Sequence, residues 1–311
     1  MNTRRDLKIY STRKRKGVIL FIAAIPFLVY YIMFQYVPLF AWAYVFFDYK
    51  MGKPFLDFTQ VDFVGFHYFT KLLSESSEIL RVLRNTLVMS LLGILTSPLP
   101  IIFAILLNEI RNIRFKKIIQ TATTLPNFIS WIIVFGLAHA MFSENGLITT
   151  IMNLFVTRTS QVGLLGNVNA VWPFHLGLGI WKSLGWSAII YIAAIAGIDA
   201  ELYDACMIDG ANRFQSIIHI TVPGIVPTYL VLLLLAISNL LSNGFDQYFM
   251  FYNSMVADRI EVLDYYVYKV GILIGDTSYS ITIGMLKTMI SVFLLFSANL
   301  FSKKIRGESL I

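Results

Sequence analysis

Six stretches of the chain stay apolar for more than twenty residues each, at about 17–40, 85–108, 118–142, 172–198, 222–245 and 279–301. At 1.5 Å rise per residue, each is long enough as a helix to cross a hydrocarbon core of roughly 30 Å. Backbone polar groups in hydrocarbon need partners within the segment, which favours helices. A β-barrel would need short alternating strands, which these continuous runs do not resemble. The pattern predicts an all-α polytopic membrane protein with six transmembrane helices.

The polar intervals are of two kinds. Three are long and aromatic, at about 41–84, 143–171 and 246–278, with Phe46, Phe47, Tyr49, Phe66, Tyr68, Tyr248, Tyr252, Tyr265 and Tyr266. Such rings suit anchoring at the membrane interface or a docking face for an external protein, with anchoring favoured by composition. The others are basic. The tail at 1–16 carries seven Lys and Arg, and Arg111, Arg114, Lys116, Lys117, Arg213, Lys303, Lys304 and Arg306 fall on the same side. That side holds fifteen positive residues against eight on the other. The positive-inside rule makes it cytoplasmic, with both termini inside. The first apolar run lacks a small-x-small cleavage site, so it reads as a membrane helix rather than a secretory signal. The expected organisation is a basic cytoplasmic N-tail at 1–16, a six-helix domain at 17–301 and a cytoplasmic C-tail at 302–311.

Composition narrows the chemistry. Of 311 residues, 57% are hydrophobic and only 14% charged, against about a quarter charged in soluble domains. A single cysteine, Cys206, excludes an internal disulfide framework, and the four histidines (His67, His139, His175 and His219) have no metal-ligand spacing. No G-x-x-x-x-G-K-[ST] pattern is present, so the chain carries no such nucleotide-binding loop of its own.

The most informative polar interval runs from 199 to 223. Asp199 can cap a helix whose first turn holds Glu201. Leu202, Ala205 and Ile208 fall on one face, and Gly210 suits a turn that needs positive φ. Phe214, Ile217 and Ile218 share a side of a second short helix, and Pro223 marks the return to the membrane. A solvated connector would need only a few residues, without an exposed Phe, a tight turn and a cap. The interval therefore reads as two short amphipathic helices projecting into the cytoplasm as a handle for a partner.

Asp204-Ala205-Cys206, Asp209-Gly210-Ala211 and Ile220-Thr221-Val222-Pro223 resemble the EAA loop of ABC-importer permeases, with Asp for Glu, Cys for Ala and Val for Leu. Val64-Gly65-Phe66-His67-Tyr68-Phe69 is similar to the family's segment before the second span, and Asn85-Thr86-Leu87 to its helix start there. Gly244-Phe245-Asp246-Gln247, Tyr252-Asn253, Tyr266-Val267-Tyr268-Lys269-Val270-Gly271, Asn299 and Ser302-Lys303-Lys304 resemble a narrower group, the LplB-like, MalF-related permeases of oligosaccharide importers. The resemblance covers almost the whole chain. It implies a type I ABC-importer permease fold, in which Asp204, Ala205, Asp209, Gly210, Ala211, Arg213, Phe214 and Pro223 sit in a cleft of an ATPase. It further implies a second related permease, two ATP-binding subunits and a solute-binding protein, in a bacterial cytoplasmic membrane. ATP and Mg would be bound by the ATPase, with no cofactor on this chain, no catalytic or metal-ligating residue, and no nucleic-acid partner.

Polar residues within spans mark candidate substrate paths. They are Trp181, Lys182, Ser183, Trp186 and Tyr191 in span four, and Ser238, Asn239, Ser242 and Asn243 in span five with Asp246 just beyond. Span six adds Lys287. Aromatic faces with amides and hydroxyls suit a sugar, and two lysines point to an acidic one, such as a uronate-containing oligosaccharide. Each residue also has an ordinary role as packing, helix–helix glue or a snorkelling cation. Span-four glycines Gly177, Gly179 and Gly185 suit close helix approach. The alternatives are the same fold with another solute, such as an amino acid or polyamine, and an ion-coupled secondary transporter. The near absence of Asp and Glu from the spans argues against the latter.

Overall fold

The computed structural model describes residues 20–54, 57–155 and 163–306. The N-tail at 1–16 and the last five residues of the C-tail lie outside the described residues. Six helical stretches are long and apolar enough to cross a membrane: Leu20–Phe46, Ser76–Asn108, Trp131–Ile151, Val168–Ala196, Arg213–Ser238 and Thr277–Leu300. The chain is a multi-pass membrane protein. Among the described residues the β-structure is one isolated bridge, Phe47 to Phe63.

Several span limits differ from those expected, and three of the differences have a direct physical reason. The second begins at Ser76 rather than near 85, so Asn85 lies inside a helix, not at its start. The added turns carry Glu78, Arg81 and Arg84, whose charges have partners. The third does not run on from 118. Residues Ile113–Thr124 form a separate helix, capped by the Asn112 side chain, and Pro126 opens a short 3-10 turn after it. Proline lacks an amide donor and disfavours helical backbone before it. The fifth stops at Ser238 rather than 245, where the chain turns through Gly244 at φ +84°.

By internal contacts the chain forms two compact units, Met1–Ser74 with Val270–Met285 and Glu75–Lys269 with Leu286–Ile311. In the smaller unit the Ser278 hydroxyl accepts from the Tyr49 amide at 2.9 Å and donates to the Phe47 carbonyl at 2.7 Å. Lys71 pairs with Asp276 at 2.5 Å. The Tyr68 hydroxyl donates to Asp48 at 2.8 Å. Burial first, and then the Asp48 carboxylate, push that hydroxyl's pKa well above its ordinary value.

In the larger unit, one core gathers Met89, Val134, Ala138 and Val171 around Tyr248, Phe251, Val262 and Tyr265 of the segment at 246–268. A second joins spans two, four and five through Ala104, Ala188, Tyr191, Ile195 and Ile225. Tyr248, Tyr265 and Tyr266 are therefore core residues rather than anchors or docking groups. The segment at 246–268 is pinned to span two by polar contacts. The Asn85 amide donates to the carbonyls of Asp258 (2.9 Å) and Glu261 (3.0 Å), and Thr86 accepts from the Leu263 amide at 2.8 Å. The carboxylate of Glu261, 1% exposed, is engaged by Arg81 and by Lys269 at 2.8 Å. A buried carboxylate needs such pairing.

The glycines of span four divide. A Cβ on Gly185 would overlap the Thr123 main chain, whereas Gly177 and Gly179 face open space. Span four thus meets the helix Ile113–Thr124 at backbone distance through Gly185. Gly185→Ala is expected to cost about 1–3 kcal/mol by overpacking, seen as a lower thermal unfolding midpoint in detergent. Gly177→Ala is expected to leave the midpoint unchanged or raise it.

Candidate functional site

The interval after span four folds from local signals. The Asp199 side chain accepts from the Glu201 amide at 3.0 Å and starts the helix Ala200–Ile208. Gly210 follows at φ +77°, a conformation that L side chains rarely take. Asn212 and Gln215 then form a reciprocal capping box for Arg213–Ser216. That pair was readable in the sequence as Asn-x-x-Gln but was not singled out there. A wider π-helical turn, Ile217–Thr221, leads into the α-helix Val222–Ser238, with Pro223 in its first turn. The two legs are tied by the hydroxyls of Tyr203 and Thr221, 3.0 Å apart.

This hairpin collects Asp204, Ala205, Asp209, Gly210, Ala211, Arg213 and Phe214, all exposed except the half-buried Ala211, with Pro223 at its base. It also presents Leu202, Met207, Ile208 and Phe214 to the outside, Ile208 at 86% exposure and Phe214 at 69%. Clustered exposed apolar side chains on a projecting element mark an interaction site. Arg213 lies 3.7 Å from Glu109; such an exposed pair contributes little stability.

The second feature is a cavity of about 690 Å³ in the larger unit, lined from spans two, four and five. Of the candidate path residues, Lys182, Ser183, Tyr191, Asn239, Ser242 and Asn243 line it. Trp181, Trp186, Ser238, Asp246 and Lys287 do not. Trp181 and Trp186 are half-exposed, and Trp186 meets Phe128 edge-on with ring centroids 5.6 Å apart. The buried Ser238 donates to the Leu235 carbonyl at 2.8 Å. Asp246 is exposed in the first turn of the helix Asp246–Phe251. Lys287 pairs with Asp264.

Lys182 lines the cavity, but its charge is engaged. Its ammonium donates to the carbonyls of Pro126 (3.1 Å), Asn127 (2.9 Å) and Ile129 (2.5 Å); the first of these also accepts from the Ile129 amide at 3.1 Å, and the helix break exposes the others. It also lies 5.5 Å from the Trp131 ring centroid.

The lining includes polar groups absent from the sequence candidates. Ser90 and Ser97, seven residues apart on one face of span two, are among them. So are His175 and Gln247, a buried pair in which the Gln247 amide donates to the His175 carbonyl at 3.0 Å and lies 3.0 Å from its Nδ1. Among the described residues no three His, Cys, Asp or Glu side chains converge to hold a metal ion. The arrangement suits binding rather than chemistry, with hydroxyls, amides and aromatic edges around an open space.

A family model described as "Binding-protein-dependent transport system inner membrane component" matches residues 96–307. Protein LplB of Bacillus subtilis (strain 168) is 37% identical, covering 94% of this chain and 90% of its own length. The polygalacturonan/rhamnogalacturonan transport system permease protein YteP of the same organism is 35% identical, over 98% and 96%. A crystal structure of a bacterial alginate ABC transporter in complex with an alginate pentasaccharide-bound periplasmic protein contains a similar chain. It matches with TM-score 0.83 and 27% identity, over 100% of both chains.

Because Lys182 serves backbone carbonyls, Lys182→Met is expected to destabilise the protein by about 1–3 kcal/mol by stripping those acceptors. The measurement is thermal unfolding of the solubilised protein; an unchanged midpoint would contradict the carbonyl-capping role.

Proposed function

The chain belongs to the family of binding-protein-dependent transport system inner membrane components, and we propose that it is the permease of an importer for acidic oligosaccharides. In this reading ATP is hydrolysed elsewhere, on two ATP-binding subunits that carry ATP and Mg. This chain pairs with a second, related permease and receives cargo from an external solute-binding protein. It sits in the bacterial cytoplasmic membrane with both termini inside and binds no cofactor itself. Alternating access follows when ATPase closure and the loaded binding protein favour opposite states of the bundle.

The observation that carries the reading is the hairpin at 200–216. A rigid, doubly capped element with Ile208 and Phe214 exposed has the form of a lever seated in a partner. Asp204, Ala205, Asp209, Gly210, Ala211, Arg213, Phe214 and Pro223 are the proposed coupling residues. The cavity is the proposed cargo path, with Lys182, Tyr191, Asn239, Ser242 and Asn243 in its wall. The case for an acidic cargo rests on the relatives, since polygalacturonan and alginate, the latter an acidic polysaccharide, are both rich in uronates. Lys182 and Lys287 do not add to it, because both ammonium groups already have partners.

Gentle extraction of a tagged chain is expected to bring down a second permease and an ATPase. Uptake of a panel of oligogalacturonates, alginate oligosaccharides and neutral arabino-oligosaccharides is expected to favour the acidic members. Preference for the neutral ones would refute the cargo assignment alone. Gly210→Pro should leave insertion intact while abolishing ATP-driven uptake, because proline cannot adopt the φ of +77° there. Normal uptake by that variant would overturn the coupling role of the hairpin.

A further inference from the structure

Between the end of span five at Ser238 and the helix Asp246–Phe251 the chain is non-helical. Such backbone in a membrane protein is stable where it lines a cavity and where protein groups satisfy it. Both conditions are met here. Asn239, Ser242 and Asn243 face the cavity, and Asp264 answers the amides. One carboxylate oxygen accepts from the N–H of Asn243 at 2.9 Å and from that of Gly244 at 3.1 Å. The other is engaged by Lys287 from the last span. Gly244, at φ +84°, makes the bend.

The bend sets where the Asn243 side chain goes. Its amide nitrogen donates to the Ser90 hydroxyl at 2.8 Å, and Ser90 donates in turn to the Leu240 carbonyl at 2.6 Å. The Asn243 amide oxygen is buried without a protein partner among the described residues. An amide held by its nitrogen and its backbone in a residue that lines the cavity, with its own oxygen unpartnered, is held in one orientation.

We propose that Asp264 and Lys287 are positioning residues for cargo selection, fixing the Asn243–Gly244 bend and through it the Asn243 amide in the cavity wall. This rests on the reading of the cavity as the cargo path. A buried ion pair is a weak source of stability, and an apolar pair of similar volume often replaces one without loss. An apolar pair cannot, however, accept two backbone amides in a defined direction. Asp264 therefore transmits the position of the last span to the cavity wall, and Lys287 holds it there without meeting the cargo.

The test uses the copurified importer in proteoliposomes with whichever member of the panel above the unaltered complex carries. That first result judges the cargo assignment by itself. The double variant Asp264→Leu with Lys287→Met removes both charges and the shared acceptor oxygen, and avoids stranding either charge. It is expected to assemble with the partner subunits and to raise KM for uptake about tenfold, with a smaller fall in kcat. Lys287→Arg, which keeps the pair, is expected to retain a KM close to that of the unaltered importer. In an Asn243→Ala background the double variant should raise KM little further, because its effect passes through that side chain. An unchanged KM in the double variant would overturn the proposal, as would an effect fully additive with Asn243→Ala.

Discussion

A backbone amide or carbonyl in a membrane protein has to find a partner inside the protein, and this constraint orders the rest of the structure. Helices satisfy it along most of the chain, but the cavity exists because helices are interrupted. Two of these interruptions are closed by a charge of the appropriate sign. At Pro126–Ile129 the loose groups are the carbonyls of Asn127 and Ile129, and the ammonium of Lys182 collects both together with the already bonded carbonyl of Pro126. At Asn243–Gly244 they are amides, and the carboxylate of Asp264 collects two. Lys182 in span four and Lys287 in span six are therefore parts of the scaffold that shapes the cavity.

The same logic governs the segment at 246–268 that is pinned to span two. Asn85 and Thr86 reach across to the main chain of Asp258, Glu261 and Leu263, and Glu261 is buried between two cations. Lys269 keeps its charge there: burial opposes the charged form, but the hydrogen bond and proximity to Glu261 outweigh it and leave its pKa above the ordinary value. Polar side chains in the first turns of span two thus do the work that apolar packing does elsewhere in the bundle.

How much of this was legible in the sequence depended on the range of the interactions. Six spans could be read because hydropathy is a property of each segment alone. The hairpin at 200–216 could be read because its determinants, Asp199, Gly210 and Pro223, act within a turn of themselves. The span limits were harder. The start at Ser76 depends on Glu261, 180 residues from its partner Arg81, and the stop at Ser238 on Asp264. The cavity wall was hardest. Span four is apolar on most of its circumference, so no polar stripe marks its inward face. Lys182 and Tyr191 turn toward the cavity, while Trp181 and Trp186, equally eligible by residue type, turn away. His175 and Gln247 could not be paired in advance, because the contact joins segments 72 residues apart.

The capping of helix breaks by distant charges also sets an order of events in synthesis. Chains emerge from the N-terminus. The carbonyls near Asn127 are made 55 residues before Lys182, and so must be held by the insertion machinery or by water until span four arrives. The bend at Asn243 remains open until Asp264 follows, and Asp264 is without its counter-ion until Lys287 enters with the last span. A polypeptide arrested before that span would present an unfinished interior, which gives quality control a chemical mark by which to tell a truncated chain from a complete one.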